Sequence, residues 1–137
     1  MLPEPNRLRR HSDFSLTVRQ GRRIGRRDLV VHARSVSGAN EAVRFGGPRF
    51  GLVVSKAVGP AVIRHRVARR LRHICMPLTS RVPAQTDIVI RALPGAATAS
   101  SPELEQQLRA GLRRLGILAS TSSPELATES PSSSSPS

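Results

Sequence analysis

Two spacings of apolar residues organise the chain. From Ile63 they return every three or four positions, at Val67, Leu71, Ile74 and Leu78. That repeat marks a helix with one buried face. Gly59 and Pro60 mark its start, since proline suits the first helical position, and Pro77 marks its stop. The same repeat runs through Leu104, Leu108, Leu112 and Leu115 of SPELEQQLRAGLRRLG, residues 101–116. Ser101 is the expected cap of this helix and Pro102 its first residue. Glu103 and Glu105 sit near its start, Arg109, Arg113 and Arg114 near its end, and Gly116 closes it. A shorter helix begins at Ser12 or Asp13, places Phe14 and Val18 on one face, and ends at Gly21.

Strand spacing appears between these helices. In residues 28–36, Leu29, Val31 and Ala33 alternate with Val30, His32 and Arg34. A brief strand is expected at 42–45. Another is expected at 49–55, where Phe50, Leu52 and Val54 share a face and Gly51, Val53 and Ser55 leave the other low and smooth. Residues 86–93, with Ile88 and Ile90 on one side, make a further strand. The order is α-β-β-β-α-β-α. It predicts an α+β sandwich, a sheet of about four strands with helices packed on it.

Composition changes the picture at the end of the chain. Residues 119–137 are almost entirely Ser, Pro, Thr and Ala with two glutamates. Such a segment buries too little apolar surface to offset its ordering entropy, so a disordered tail is expected after a domain spanning 1–118. The whole chain of 137 residues has a formal charge of +13, and without the two tail glutamates the first 118 residues carry +15. Lys56 is the sole lysine. The surplus is therefore arginine, whose planar fork matches phosphate oxygens. A field of this sign concentrates polyanions, nucleic acid first and anionic membrane second. No apolar run reaches the length of a membrane span, and the N-terminus lacks a secretory signal's apolar stretch. Cys75 has no partner for an internal disulfide. The expected setting is the cytoplasm.

The charge concentrates on one helix. KAVGPAVIRHRVARRLRHI, residues 56–74, holds five arginines, two histidines and the lysine, and residues 56–81 contain no acid. An ordinary solvated helix face mixes signs for i,i+4 pairing. Repulsion left uncompensated points instead to a polyanionic partner. His65, Arg66, Arg69, Arg72 and His73 collect opposite the apolar stripe, with Arg64 and Arg70 at its borders.

Chemistry on the chain itself has little support. His65 and His73 are eight residues apart, about two turns, too far to share one metal ion or act as one acid–base pair. The carboxylates Asp13, Asp28, Glu41, Asp87, Glu103 and Glu105 are scattered and form no pair of the two-metal nuclease kind. No catalytic or metal-ligating residue is assigned. Gly46-Gly47 reads as a turn and Cys75 as a small core residue. His32 is either a polar core residue or part of a binding surface. Phe14 is either core or a stacking platform for a base.

Three stretches together resemble the bacterial ribonuclease P protein component: RLRRHSDFSLTVRQGRR, FGLVVSKAVG at 50–59 and VIRHRVARRLRHI at 62–74. The last is similar to the family's arginine-asparagine-arginine motif, with His65 in the asparagine position. The resemblance covers most of residues 6–116. It implies a fold like domain 2 of ribosomal protein S5 with a left-handed β-α-β crossover. It implies an endoribonuclease holoenzyme in which the RNA subunit is the catalyst and holds most of the Mg2+. The protein would bind that RNA and the 5′ leader of precursor tRNA, assisting leader removal. The implied RNA contacts are Arg64, His65, Arg66, Arg69 and Arg70, with Arg72 and His73 on the same helix. Phe14, Val18, His32, Ser55 and Lys56 are the implied leader-cleft residues. Val18 and His32 stand where the family often has aromatics. The alternatives are a plain RNA-binding or ribosomal protein and a protein-only nuclease.

Overall fold

The computed structural model describes residues 6–8, 11–35 and 47–118. The elements are α1 (His11–Gln20), β1 (Arg22–Gly25), β2 (Leu29–Ser35), β3 (Arg49–Val54), α2 (Ala61–Cys75), β4 (Thr86–Ala92) and α3 (Ser101–Arg114), with short 3-10 turns at Lys56–Val58, Met76–Ser80 and Pro94–Ala97. The strands form one mixed sheet in the order β1-β2-β4-β3. β1 pairs antiparallel with β2, and β2 antiparallel with β4. β3 and β4 are parallel neighbours, so α2 lies in the crossover between them.

The alternation along the strands sorts the sheet into two faces. Leu29, Val31, Ala33, Phe50, Ile88, Ile90 and Ala92 form the core with Val67, Leu71, Ile74, Leu104, Leu108 and Leu112. The helix layer on this face is therefore α2 and α3, each turning its apolar stripe inward. On the other face, α1 packs against β2 and β4. A buried ionic cluster fastens it there. Asp87, fully buried, lies 3.3 Å from Nε of Arg49 and 3.8 Å from Arg34, and Arg49 lies 3.7 Å from Asp13 on α1. Gly21 closes α1 because a Cβ there would come within 2.4 Å of the Thr17 carbonyl oxygen and 2.5 Å of that of Ala33.

Several expectations shift by small amounts. The cap of α3 is Ser100, not Ser101: its hydroxyl accepts from the Glu103 N–H at 3.3 Å while the Glu103 carboxylate accepts the Ser100 N–H at 2.8 Å. Reciprocal bonding needs the glutamate three residues after the cap, and Glu103 stands in that relation to Ser100 alone. Pro60 is the cap of α2, and Ala61 its first residue. Pro77 ends the α-helix, as expected, but the chain continues as a 3-10 turn through Ser80. β1 was not expected; it fills the stretch between the first helix and β2. The strand expected at 42–45 and the tail at 119–137 lie outside the described residues.

Candidate nucleic-acid interface

β3 is the outermost strand on its side of the sheet. Its edge is met by the N-terminal segment near Phe50, where the Leu8 N–H donates to the Phe50 carbonyl at 2.9 Å and the Asn6 amide donates to the Pro48 carbonyl at 2.8 Å. Beyond that point a groove of about 410 Å3 opens between α1 and α2. Phe14, Leu52, Ala61, Arg64, His65 and Arg72 are among the residues that line it. Phe14 is half-buried, and its ring lies directly over Gly51. A Cβ at position 51 would come within 2.4 Å of the ring's Cζ, so glycine is what lets the ring lie on the strand. The low face expected around Gly51 is thus occupied by Phe14 itself.

The opposite wall is one face of α2. Ala61, Arg64, His65, Ala68 and Arg72 recur at three, four and seven, so they stack along the helix. The alanines keep that wall low, and the cations rise on either side of it. The Arg64 guanidinium is steadied by its Nε donating to the Gly59 carbonyl at 3.2 Å. A further hollow of about 520 Å3 is lined by His65, Arg69, Arg72 and His73. Arg66 and Arg69 are exposed, as are His65 and His73. Arg70 turns back, its Nη1 donating to the Ala99 carbonyl at 2.9 Å. That bond leaves other guanidinium donors for an outside acceptor. Among the described residues, no carboxylate lies within ion-pair distance of any α2 arginine.

The remaining sequence candidates take different places. Val18 is exposed on α1, one turn from Phe14. Ser55 and Lys56 are exposed just past the end of β3, next to Val54 of the groove. His32 is buried at 1% exposure in the middle of the sheet, with both ring nitrogens lacking a hydrogen-bond partner. Burial first, then the Arg91 and Arg23 charges, hold its pKa below the ordinary histidine value. Residues that sequence reasoning missed are Arg7, Leu8, Ala61 and Ala68. The helical spacing of the two alanines with Arg64, His65 and Arg72 was the available signal. Burial pushes the Cys75 thiol far up, which makes it an inert core residue. No group of three or more His, Cys, Asp or Glu that could hold a metal ion occurs among the described residues. No helix among them is long and apolar enough to cross a membrane.

A small α+β protein with an arginine helix beside an edge-strand groove has the features of an RNA-binding subunit. A family model described as ribonuclease P matches residues 2–116. A ribonuclease P protein component from Rhodococcus opacus is 77% identical over 122 residues, covering 89% of this chain and 98% of its own length. One from Corynebacterium diphtheriae is 49% identical, covering 84% and 97%. The chain superposes on the Staphylococcus aureus RNase P protein with a TM-score of 0.70 at 23% identity, over 83% of this chain and 98% of that one. The chain belongs to the ribonuclease P protein component family. Its relatives are named as protein components of ribonuclease P.

Proposed function

We propose that this chain binds the catalytic RNA subunit of ribonuclease P through α2 and holds the 5′ leader of precursor tRNA along the β3 groove. In this reading it assists endonucleolytic removal of the leader, which leaves the mature tRNA 5′ end. The observation that carries the reading is the sharing of α2 between two surfaces. Arg66, Arg69 and His73 face outward for one RNA. Arg64, His65 and Arg72 face a groove that ends on the ring of Phe14. A single strand fits a groove with cations on one wall and one aromatic platform on the other. A duplex backbone fits the outer arginines, which offer charge and planar forks without an aromatic to read bases. Ser55 and Lys56 extend the groove toward the start of α2. Val18 extends the α1 side of it, and His32 supports the sheet from within. Arg70 contributes to the RNA surface with the donors that Ala99 does not occupy.

In this reading Mg2+ is bound mainly by the RNA subunit. The protein's part is charge neutralisation and substrate positioning, in the cytoplasm where precursor tRNA is made. Reconstitution tests this. The full chain, freed of RNA, is mixed with its host's catalytic RNA and a precursor tRNA at low Mg2+. Cleavage at the mature 5′ end that needs both components is the expected result. Site-specific cleavage by the RNA-free protein alone would overturn it.

A further inference from the structure

A second cationic surface lies at the far edge of the sheet, three strand spacings or roughly 14 Å from β3. β1 is the outer strand there, and with the turn after it supplies Arg22, Arg23, Arg26 and Arg27 within six positions. α3 runs beside it. Ile24 and Arg26 pack against Gly111, Arg22 donates to the Leu115 carbonyl, and Arg27 reaches Asp28 and Glu103. Arg114 is exposed at the end of the same helix. Arg23 and Arg114 have no carboxylate within ion-pair distance among the described residues.

The seam between β1 and α3 is more than a charge run. A hollow of about 250 Å3 opens in it, lined by Arg26, Arg27, Glu103, Gln106 and Gln107. The Nε of Arg26 is buried there without a hydrogen-bond partner. Packing thus holds the Arg26 side chain in place while the residue as a whole stays partly exposed. The seam has arginine forks and an exposed amide and no aromatic, and its one carboxylate in the hollow, Glu103, is met by Arg27, so the surplus charge suits phosphate oxygens and not base stacking.

We propose that the β1–α3 seam is a second docking surface for the catalytic RNA, gripping the phosphate backbone of a segment separate from the one on α2. This rests on the reading of the chain as a ribonuclease P subunit. The catalytic RNA is favoured over tRNA by position. α3 lies beside α2 in one helix layer, whereas the groove assigned to the leader opens at the opposite sheet edge. The protein then braces two parts of one folded RNA across the width of its sheet.

The test is the full-length triple variant Arg23→Gln/Arg27→Gln/Arg114→Gln, with Arg81→Gln as a control. Arg81 is exposed on the turn before β4 and lines neither surface. Binding to the catalytic RNA is titrated against salt, and melting temperature verifies the fold. Every phosphate that the variant no longer neutralises takes about 0.9 or less off the slope of log K against log salt. The triple variant is expected to lower the slope by about 1–3 and the affinity by about tenfold or more, with mature tRNA binding unchanged. An unchanged slope overturns the proposal. So does a per-charge loss equal to that of Arg81→Gln, which would reflect net charge alone. A loss confined to mature tRNA, or to phosphatidylglycerol vesicles, assigns the seam elsewhere and overturns it too. The double variant Arg66→Ala/Arg69→Ala runs in parallel. If it binds the catalytic RNA normally, the reading of α2 fails, and the seam result stands apart from that failure.

Discussion

α2 and α3 are nearly the same helix from the inside and opposite helices from the outside. They run 15 and 14 residues, lie side by side, and each buries an aliphatic stripe against one sheet. α3 spends its polar positions on itself. It has a capping box at Ser100 and Glu103, an acid in its first turn and arginines in its last, and a Glu105–Arg109 pair at 2.9 Å one turn apart. α2 has no side-chain cap and no acid in its first turn. Its arginines meet no carboxylate among the described residues, and two of them lean on backbone carbonyls instead. The stripe secures a helix to its sheet, so the polar face is open to other uses. α3 uses its first turn and its Glu105–Arg109 pair for its own stability, whereas the α2 arginines are left without such pairing among the described residues.

The sharpest check on the shared half is to damage both stripes. Leu71→Ala and Leu108→Ala each remove a fully buried side chain, and each is expected to cost about 2–5 kcal/mol in denaturant unfolding. A cost near zero in α2 alone would mean that its charged face, and not its stripe, decides its packing. The unshared half is checked by Arg66→Ala/Arg69→Ala. Folding should be unaffected, while the salt slope for the catalytic RNA drops by up to about 1.8. The matching change in α3, Glu105→Ala/Arg109→Ala, should leave RNA binding alone and move stability by about 0.5 kcal/mol or less. Equal RNA losses from the two pairs would erase the distinction.

Phe14 tests the groove that α2 shares with α1. Phe14→Ala is expected to cost about 1–3 kcal/mol of precursor affinity and nothing for mature tRNA, which has no leader. Gly51→Ala should reproduce that loss, because its Cβ would displace the ring. Equal losses for both tRNAs, with a large fall in melting temperature, would make the phenylalanine purely structural. The smallest effect is expected at the cap. Ser100→Ala should lower stability by about 1 kcal/mol with RNA binding intact. Pro60→Ala, at a cap position with no side-chain bond, removes no such bond.

Legibility along the chain followed the length and regularity of each pattern. α1 was marked by its expected cap, one four-residue pair and Gly21, while the helices α2 and α3 and the strands β2, β3 and β4 stood out because their apolar residues repeat over seven or more positions or alternate cleanly. β1 did not, since Arg22–Gly25 contains one apolar residue, Ile24, and a single point has no period. Its strand conformation comes from hairpin pairing with β2, which no periodicity within β1 itself announces. The cationic surface of α2 was plain from composition, because arginine without nearby acid is a local fact. The groove was not. Ala61 and Ala68 carry no charge and little apolar area, and their role appears only when β3 and α1 supply the floor and the other wall. His32 shows the same limit: its residue type suits a core or a surface equally, and only its place in the middle of the sheet buries it.

The sequence by itself determined the three helices, the strands β2, β3 and β4, the apolar stripes, the excess of arginine on α2 and the likeness to the ribonuclease P protein component. These depend on neighbours within a few positions, or on motifs read as strings, and helical or strand periodicity carries them without a partner. Tertiary structure alone decided that β3 lies at an edge, that Phe14 rests on Gly51, and that the β1 arginines line up beside α3. Those facts join residues dozens of positions apart. They arise from sheet order and helix docking, which come from burying several stripes at once and are encoded in no single stretch of the chain.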